Sequence, residues 1–497
     1  MTAVHRLSKS RLISGWQCAL RLWQEVYEPG RAEVADQVKW AFATGHEVGA
    51  AAQGQFPEGV LIGHDEELEK ALQETEARLR QPGPTTLFEA TFRHDDVLIR
   101  ADILQCDAVG NVPGDVPDHY RIVEVKAATS VKEYYIIDCA IQLYVLQGAL
   151  GDSAEIRIEL AHINNRFVYQ GDGDYTDLFT YVDVTQPAEA WLPRVPQLIG
   201  EMRAVLGDVE PIIETGRQCT HPFDCPFIGH CAPQTTDYPI ASLPGSRAVK
   251  TRLRADGFED IRDIPAGTLT NATQERVRRV TKTGRFELDP AAAKVLHSLP
   301  YPRYYLDFET ASFAVPIWQG TRPYQAYPFQ WSCHIEMAGG QLEHCEFLPK
   351  GRWPPMRVFT ESLIRALGQG DEPIFVYTAY EKKILTALQQ RFEDLTAPID
   401  AIIARLFDLH PLTKANYYHP DMHGSWSIKA ILPTIAPDLS YASVGEISEG
   451  MQAGVAYRRL LGDDLTEERQ AEIKRALKAY CELDTLAMVR LVRFLTA

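Results

Sequence analysis

The chain has no apolar run long enough to cross a bilayer, for which a helix needs about 20 consecutive apolar residues. Its opening, "MTAVHRLSKSRLISGW", holds no apolar signal core, so a cytoplasmic protein is expected. Positive charge is scarce: 50 Lys and Arg against 67 Asp and Glu leave a net charge of −17. That excludes a protein coating polyanions over its whole surface, but not a locally basic cleft. The nine cysteines are an odd number in a chain without a secretory signal, which is no disulfide framework. No solenoid-period repeat occurs. No Gly-rich dinucleotide fingerprint follows a strand, which argues against an iron–sulfur redox carrier with such an acceptor site.

What is present is a chain of 497 residues, 45% of them apolar, enough for two to four domains with sizeable cores. "LFEATFRHDDVLIRADILQCD" reads as two strands around a turn at His94–Asp96, and "IDCAIQLYVLQGAL" has helical periodicity. "APQTTDYPIASLPGS" marks a boundary. From Ser246 to Arg285, ten Lys or Arg stand against five Asp or Glu. Arg276, Arg278, Arg279 and Lys282 in that stretch are expected to hold phosphates, a solvated helix face being the plain alternative. Strands and helices alternate again from "YYLDFET" onward. The expectation is an α/β protein with two mixed-sheet domains, residues 1–240 and 299–497, joined by a helical connector at 241–298.

In "IVEVK" the strand period sends Glu124 and Lys126 to one face and Val123 and Val125 to the other. Alone, that is an ordinary half-exposed edge strand. Asp102 in "IRADIL", His46 in a helical stretch upstream and Gln142 in the helix downstream make it more. Asp102 and Glu124 suit hard divalent cations such as Mg²⁺ or Mn²⁺, with His46 as a further ligand. Lys126 suits charge stabilisation or water orientation, and Gln142 an orienting hydrogen bond. The order Gly45-His46, Asp102, Glu124-Val125-Lys126, Gln142 resembles the RecB-like branch of the PD-(D/E)XK nuclease superfamily, with Ala101 where that family has Pro. The resemblance covers roughly residues 5–235. It implies metal binding by the His, Asp and Glu and a catalytic role for the Lys.

Cys219, Cys225 and Cys231 lie in "RQCTHPFDCPFIGHC", and Cys18 lies two hundred residues earlier. Four thiolates suit zinc or a [4Fe–4S] cluster alike. The other cysteines read as packing residues. A cysteine after "SKSRL" together with a later trio resembles the iron–sulfur nucleases of the Cas4 and AddB type. That resemblance favours the [4Fe–4S] cluster, in a structural role.

"RYYLDFET" puts Asp307 and Glu309 on one face of a strand whose apolar neighbours suggest a central position. Two adjacent buried carboxylates call for a cation. Glu381 follows the strand "PIFVY", with Asp408 as a competitor, and Tyr480 and Asp484 share a helix face one turn apart. This order resembles the DEDD exonucleases of the ribonuclease H-like superfamily, tyrosine subclass, which implies two metal ions held by Asp307, Glu309 and Asp484. "NYYHPDMHGSWSIKAILP" reads as a packed loop entering a helix at Ser427, and resembles a segment of the bacterial DUF2779 family, which carries such a domain. Together the resemblances imply a two-site, metal-dependent nuclease with DNA as its expected substrate and no membrane partner. The rival class is a cluster-stabilised clamp on nucleic-acid ends with inactive sites.

Overall fold

The computed structural model describes all residues except 1–6, 34–35, 64–66, 82, 108–118, 152, 232–235, 442–446, 448 and 463–464, with the side chains of 36–39 also outside the description. The chain forms two compact units. One comprises Met1–Pro233 and Phe313–Gln325, the other Gln234–Ser312 and Ala326–Ala497. Among the described residues no helix is long and apolar enough to cross a membrane.

The first unit is built on a seven-stranded sheet. Its strands are β1 (Leu7–Ser8), β2 (Val60–Leu61), β3 (Thr85–His94), β4 (Val97–Cys106), β5 (His119–Lys126), β6 (Glu155–Ile163) and β7 (Phe179–Asp183). The order is β2-β3-β4-β5-β6-β7, with β1 pairing to β4. β3 and β4 form the hairpin read from the sequence; Asp95 and Asp96 both take positive φ, 49° and 51°, as a tight two-residue turn requires. β5 is not an edge strand. It runs antiparallel to β4 and parallel to β6, and both its faces are covered. Ile122 joins one core with the helix Glu133–Leu150, while Val123 joins a second with Val48, Ala52 and Ile103. The helix Glu133–Leu150 is buried along most of its length, so it is apolar nearly all round rather than striped.

The second core of this unit is completed by a later part of the chain. Ala314 is buried within it, and Val315 and Tyr324 pack against it. The Tyr169 N–H donates to the Thr321 carbonyl (3.0 Å) and the Gly320 N–H to the Tyr169 carbonyl (2.8 Å), a short reciprocal clasp. The Tyr175 hydroxyl donates to the Pro316 carbonyl at 2.8 Å.

The second unit holds β8 (Glu287–Leu288), β9 (Arg303–Ser312), β10 (Ala326–Glu336), β11 (Leu342–Phe347), β12 (Ile374–Val376), β13 (Leu406–Asp408) and β14 (Tyr417–Tyr418). Five strands form a sheet in the order β11-β10-β9-β12-β13, while β14 pairs with β8. β9 is central, antiparallel to β10 and parallel to β12. The connector expected at 241–298 is not a separate body. Leu253, Ile261, Ile264, Val277 and Val280 lie in the same core as Tyr305, Tyr417, Tyr418 and Val489, so its apolar face is buried within this unit. Its helix Ala272–Thr283 begins at Asn271, whose side chain accepts from the Thr273 and Gln274 N–H groups.

Candidate active sites

The β4–β5 ladder ends at the pair Ile103–Val123. Just beyond it, Asp102 Oδ2 accepts the Val125 N–H at 2.7 Å, so a carboxylate takes the place of a strand carbonyl. Next to it Glu124 is 2% exposed. Its Oε1 accepts from Lys126 Nζ (2.6 Å) and from Lys9 Nζ (2.7 Å), and its Oε2 from Gln142 Nε2 (2.7 Å). Lys126 Nζ also reaches Asp138 Oδ2 at 2.6 Å. Asp102, Glu124, Lys126 and Gln142 are thus brought together as their spacing suggested, while His46 is exposed on the helix Asp36–Gln53.

Electrostatics sets the protonation of this cluster. Burial alone would raise the Glu124 carboxyl, but Lys126 and Lys9 outweigh it and hold it below the usual range. Burial and the Glu124 charge push Asp102 up to about 7. Lys9 and Asp138 are the members that sequence reasoning missed. Lys9 stands in the quoted "SKSRL", and Asp138 precedes Gln142 by one helical turn on the same face, signals visible only once the partners are known.

Cys18, Cys219, Cys225 and Cys231 line one small cavity in the same unit. The helix Lys9–Gln17 is tied to the later cysteine loop by Gln17, whose Nε2 donates to the Gln218 and Phe223 carbonyls at 2.6 and 2.7 Å. The Gly216 N–H points at Cys219 Sγ (3.4 Å). Burial raises the Cys225 thiol, while the Phe227 N–H and the Arg21 guanidinium oppose that rise. Four sulfurs on one cavity, with a main-chain donor and a cation beside them, fit a group that takes four thiolates.

The second acidic site forms where β9 runs past its parallel neighbour. β12 pairs with β9 only at Tyr304 and Tyr305, so Asp307 and Glu309 project beyond the end of β12. The β9–β10 register shifts between Pro328 and Gln330, and Gln330 is the partner of Glu309. This irregularity is of a kind common beside active sites. Phe308, on the opposite face, stacks edge-on against Phe359 at 5.1 Å. The helix Tyr380–Arg391 brings Glu381, and the helix Glu467–Thr496 brings Tyr480, Cys481 and Asp484. Glu309, Glu381 and Asp484 are 5%, 3% and 8% exposed.

Burial raises all four carboxyl groups of this cluster. It acts first on Asp307 and Glu309, and the charge of Asp484 adds to both shifts, as does that of Glu381. Glu381 is pushed up to about 8 by burial, with Asp408 and Asp484 contributing. Asp484 rises to about 6 through burial, restrained by a hydrogen bond from Tyr441, the charge of Lys429 and a hydrogen bond from Tyr480. Of the two rivals for the third acid, Glu381 is the one whose charge is felt at both Asp307 and Glu309. Asp408 caps a helix instead: its Oδ1 accepts from the Thr378 and His410 N–H groups, both at 2.9 Å.

Three further members were not read from the sequence. The Tyr441 hydroxyl donates to Asp484 Oδ1 at 2.5 Å. Lys429 Nζ stands over the Tyr441 and Tyr480 rings at 5.2 and 5.0 Å. Cys481 Sγ is 3.6 Å from Asp307 Oδ2. Tyr441 lies in a loop with no pattern to mark it, whereas Cys481 could have been found from its place between Tyr480 and Asp484.

Residues 304–427 match the family model described as a domain of unknown function, DUF2779. That match supports the DUF2779 family for roughly a quarter of the chain. It includes Asp307, Glu309, Glu381 and Asp408 and ends before Tyr480, Cys481 and Asp484. No curated protein matches the chain. The aromatic stretch near the end of the DUF2779 segment is a packed loop, as its residues suggested. Tyr417, Tyr418, Met422 and Trp426 are buried in it, and Ser427 Oγ accepts the Ala430 N–H at 3.2 Å to start the next helix.

The four basic residues of the connector are mostly engaged within the protein. Arg276 binds Glu287 and the Lys414 and Ala415 carbonyls. Arg278 is buried against Glu275 and the Ile264 carbonyl. Arg279 pairs with Glu287 from the surface, and Lys282 is exposed. The expected phosphate-holding row therefore reduces to Arg279 and Lys282, because the other two guanidinium groups face inward.

Proposed function

We propose that the protein is a metal-dependent nuclease that hydrolyses phosphodiester bonds in nucleic acid, with DNA as the favoured substrate. Its second unit would act as a 3′–5′ exonuclease of the DEDD type, and its first as a nuclease of the RecB type stapled by a [4Fe–4S] cluster. The observation that carries the reading is the gathering of Asp307, Glu309, Glu381 and Asp484, from one strand and two helices, around one buried place with Tyr480 beside them. Buried carboxylates without a balancing charge are costly, and a divalent cation supplies that charge.

Asp307, Glu309, Glu381 and Asp484 would hold the cations. When bound, these lower the pKa of water and stabilise charge on phosphoryl oxygens. Tyr480 would orient the attacking water, with its ring fixed against Lys429. Tyr441 holds Oδ1 of Asp484. In the first unit, Asp102 and Glu124 would serve as metal ligands and Lys126 as the positive group beside the scissile phosphate. Gln142 fixes the Glu124 carboxylate, and Asp138 fixes the Lys126 ammonium. Cys18, Cys219, Cys225 and Cys231 would hold the cluster, tying the start of the unit to its end.

The test is digestion of end-labelled single- and double-stranded DNA with Mg²⁺ or Mn²⁺, using protein purified without oxygen, in parallel with an iron assay. Asp307→Ala should remove 3′-end trimming and spare cleavage by the first unit, and Glu124→Ala should do the reverse. Absence of cleavage in both metals would overturn the nuclease reading.

A further inference from the structure

Cys481 does not belong to the set of groups that a magnesium site needs. Asp307, Glu309 and Cys481 each offer one ligand atom, all within 4.8 Å of one another. Cys481 is fully buried, and its sulfur lies 3.6 Å from Asp307 Oδ2. That spacing is informative. With bonds of about 2.3 Å to sulfur and about 2.1 Å to oxygen, a tetrahedral angle at zinc puts the two ligand atoms about 3.6 Å apart, and a right angle about 3.1 Å. A second observation bears on the same cluster: Glu381 is 3% exposed, its Oε2 has no hydrogen-bond partner among the described residues, and its charge acts on both Asp307 and Glu309.

We propose that the carboxylate site of the second unit is a mixed oxygen–sulfur site that takes a thiophilic divalent cation of the zinc class, with Cys481 Sγ, Asp307 and Glu309 as ligands. This deepens the nuclease reading, on which it rests for the site's purpose but not for its existence. Soft thiolate ligands select zinc-class ions, and Mg²⁺ prefers six oxygens in near-octahedral geometry. As the sulfur–metal bond forms, the thiol proton leaves to solvent and the cation gains one thiolate charge. At the Cys481 position Mg²⁺ would then bind weakly, which leaves the oxygen-only remainder of the site, with Glu381 and Asp484, to the ions that work on phosphate. Zinc-class ions would bind the Cys481 position tightly and govern whether the site accepts those ions. The bland alternative is that the Cys481 S–H simply donates a hydrogen bond to Asp307.

The experiment uses the full chain, purified without oxygen, with ¹¹³Cd²⁺ as the zinc-class probe. Cadmium NMR on the unaltered protein should give a resonance in the range of one sulfur with several oxygens, separate from any four-sulfur signal. Cys481→Ser should lose that resonance and weaken Cd²⁺ binding by equilibrium dialysis roughly a hundredfold or more, since even the partners of metal ligands cost ~10–100-fold. Asp307→Asn should lose it too, whereas Glu124→Gln should keep it. Excess Mg²⁺ should not displace the bound cadmium. A resonance only in the all-oxygen range, or equal Cd²⁺ affinity in the unaltered protein and in folded Cys481→Ser, would overturn the proposal. The unaltered-protein spectrum decides the question even if the serine variant does not fold. DNA cleavage in a protein with only an all-oxygen cadmium signal sinks this inference and leaves the nuclease reading. A single-sulfur signal in a protein that cleaves nothing does the opposite.

Discussion

Glu124→Gln is the most revealing single change in the first unit, because it tests the lysine–acid cluster without requiring activity. Glu124 Oε1 lies 2.7 Å from Lys9 Nζ and 2.6 Å from Lys126 Nζ, with the acid 2% exposed. At a charge separation of ~4 Å and an effective dielectric of ~20, each contact is worth ~4 kcal/mol before desolvation is counted. Removing the charge leaves two ammonium groups to share Asp138, and breaking a buried pair costs ~3–5 kcal/mol. The amide keeps the shape, and with its oxygen on the two lysines its N–H can donate to Gln142 once that side chain turns its unpartnered Oε1 toward it, so the loss should sit at the lower end, about 3 kcal/mol. Lys9→Met should be milder, because Lys126 still neutralises the acid. The double variant Lys9→Met/Glu124→Gln should recover ~1–3 kcal/mol of the summed loss, the range for residues in one network. A chain of two units does not unfold in one step, so the measurement is native-state hydrogen exchange of the β5 amides, which reports locally. Additivity within about 0.5 kcal/mol, or unchanged exchange in Glu124→Gln, would refute the claim that these contacts hold the cluster together.

The remaining expectations concern other parts of the chain. Cys18→Ser, like substitution of Cys219, Cys225 or Cys231, should abolish the iron and the brown colour, and stoichiometric zinc without iron in the parent protein would exclude the cluster. In the second unit, burial pushes Glu381 up to about 8 and Asp484 up to about 6, above the ordinary carboxyl range. Their contribution to stability is complete at pH below ~4 and is lost as pH rises through those values. Cation-free protein should therefore show faster intrinsic-rate-corrected exchange at β9 at pH 8 than at pH 5, and added Mn²⁺ should reverse it at pH 8. Gly424 has φ +75°, and a Cβ there would collide with the Ser242 carbonyl oxygen. Gly424→Ala should thus cost roughly 2–4 kcal/mol, read as exchange at Tyr417 and Tyr418. Tyr480→Phe should slow 3′-end trimming while leaving Mn²⁺ affinity unchanged, whereas Asp484→Ala should lower both.

The alternation of β5 and β9 was legible because a strand has a fixed period of two, and both strands carry their acids on a single face. What alternation cannot tell is how many neighbours a strand has: β5 read equally well as an edge, and only its pairing with β4 and β6 makes it central. The cysteine quartet was legible from residue type, although two hundred residues separate its members. The basic connector was misleading for a physical reason. Charge counts do not tell a guanidinium that faces water from one that binds the Ile264 or Lys414 carbonyl, as Arg278 and Arg276 do. Lys9, Asp138, Lys429 and Tyr441 were missed because each matters only through a partner that is distant in sequence or one helical turn away.

The segment Phe313–Gln325 also bears on how the protein is made. It lies between β9 and β10, yet it belongs to the first unit, where Ala314, Val315 and Tyr324 complete the core around Val123 and Ile103. Domains generally fold in order as they leave the ribosome, at about 5–20 residues per second. Here the first unit cannot finish before residue 325 has emerged, some ninety residues after its own sequence ends at Pro233. For several seconds at those rates the nascent chain would expose that apolar patch, open to chaperones or to wrong partners. A fragment ending at Pro233 would keep it exposed for good.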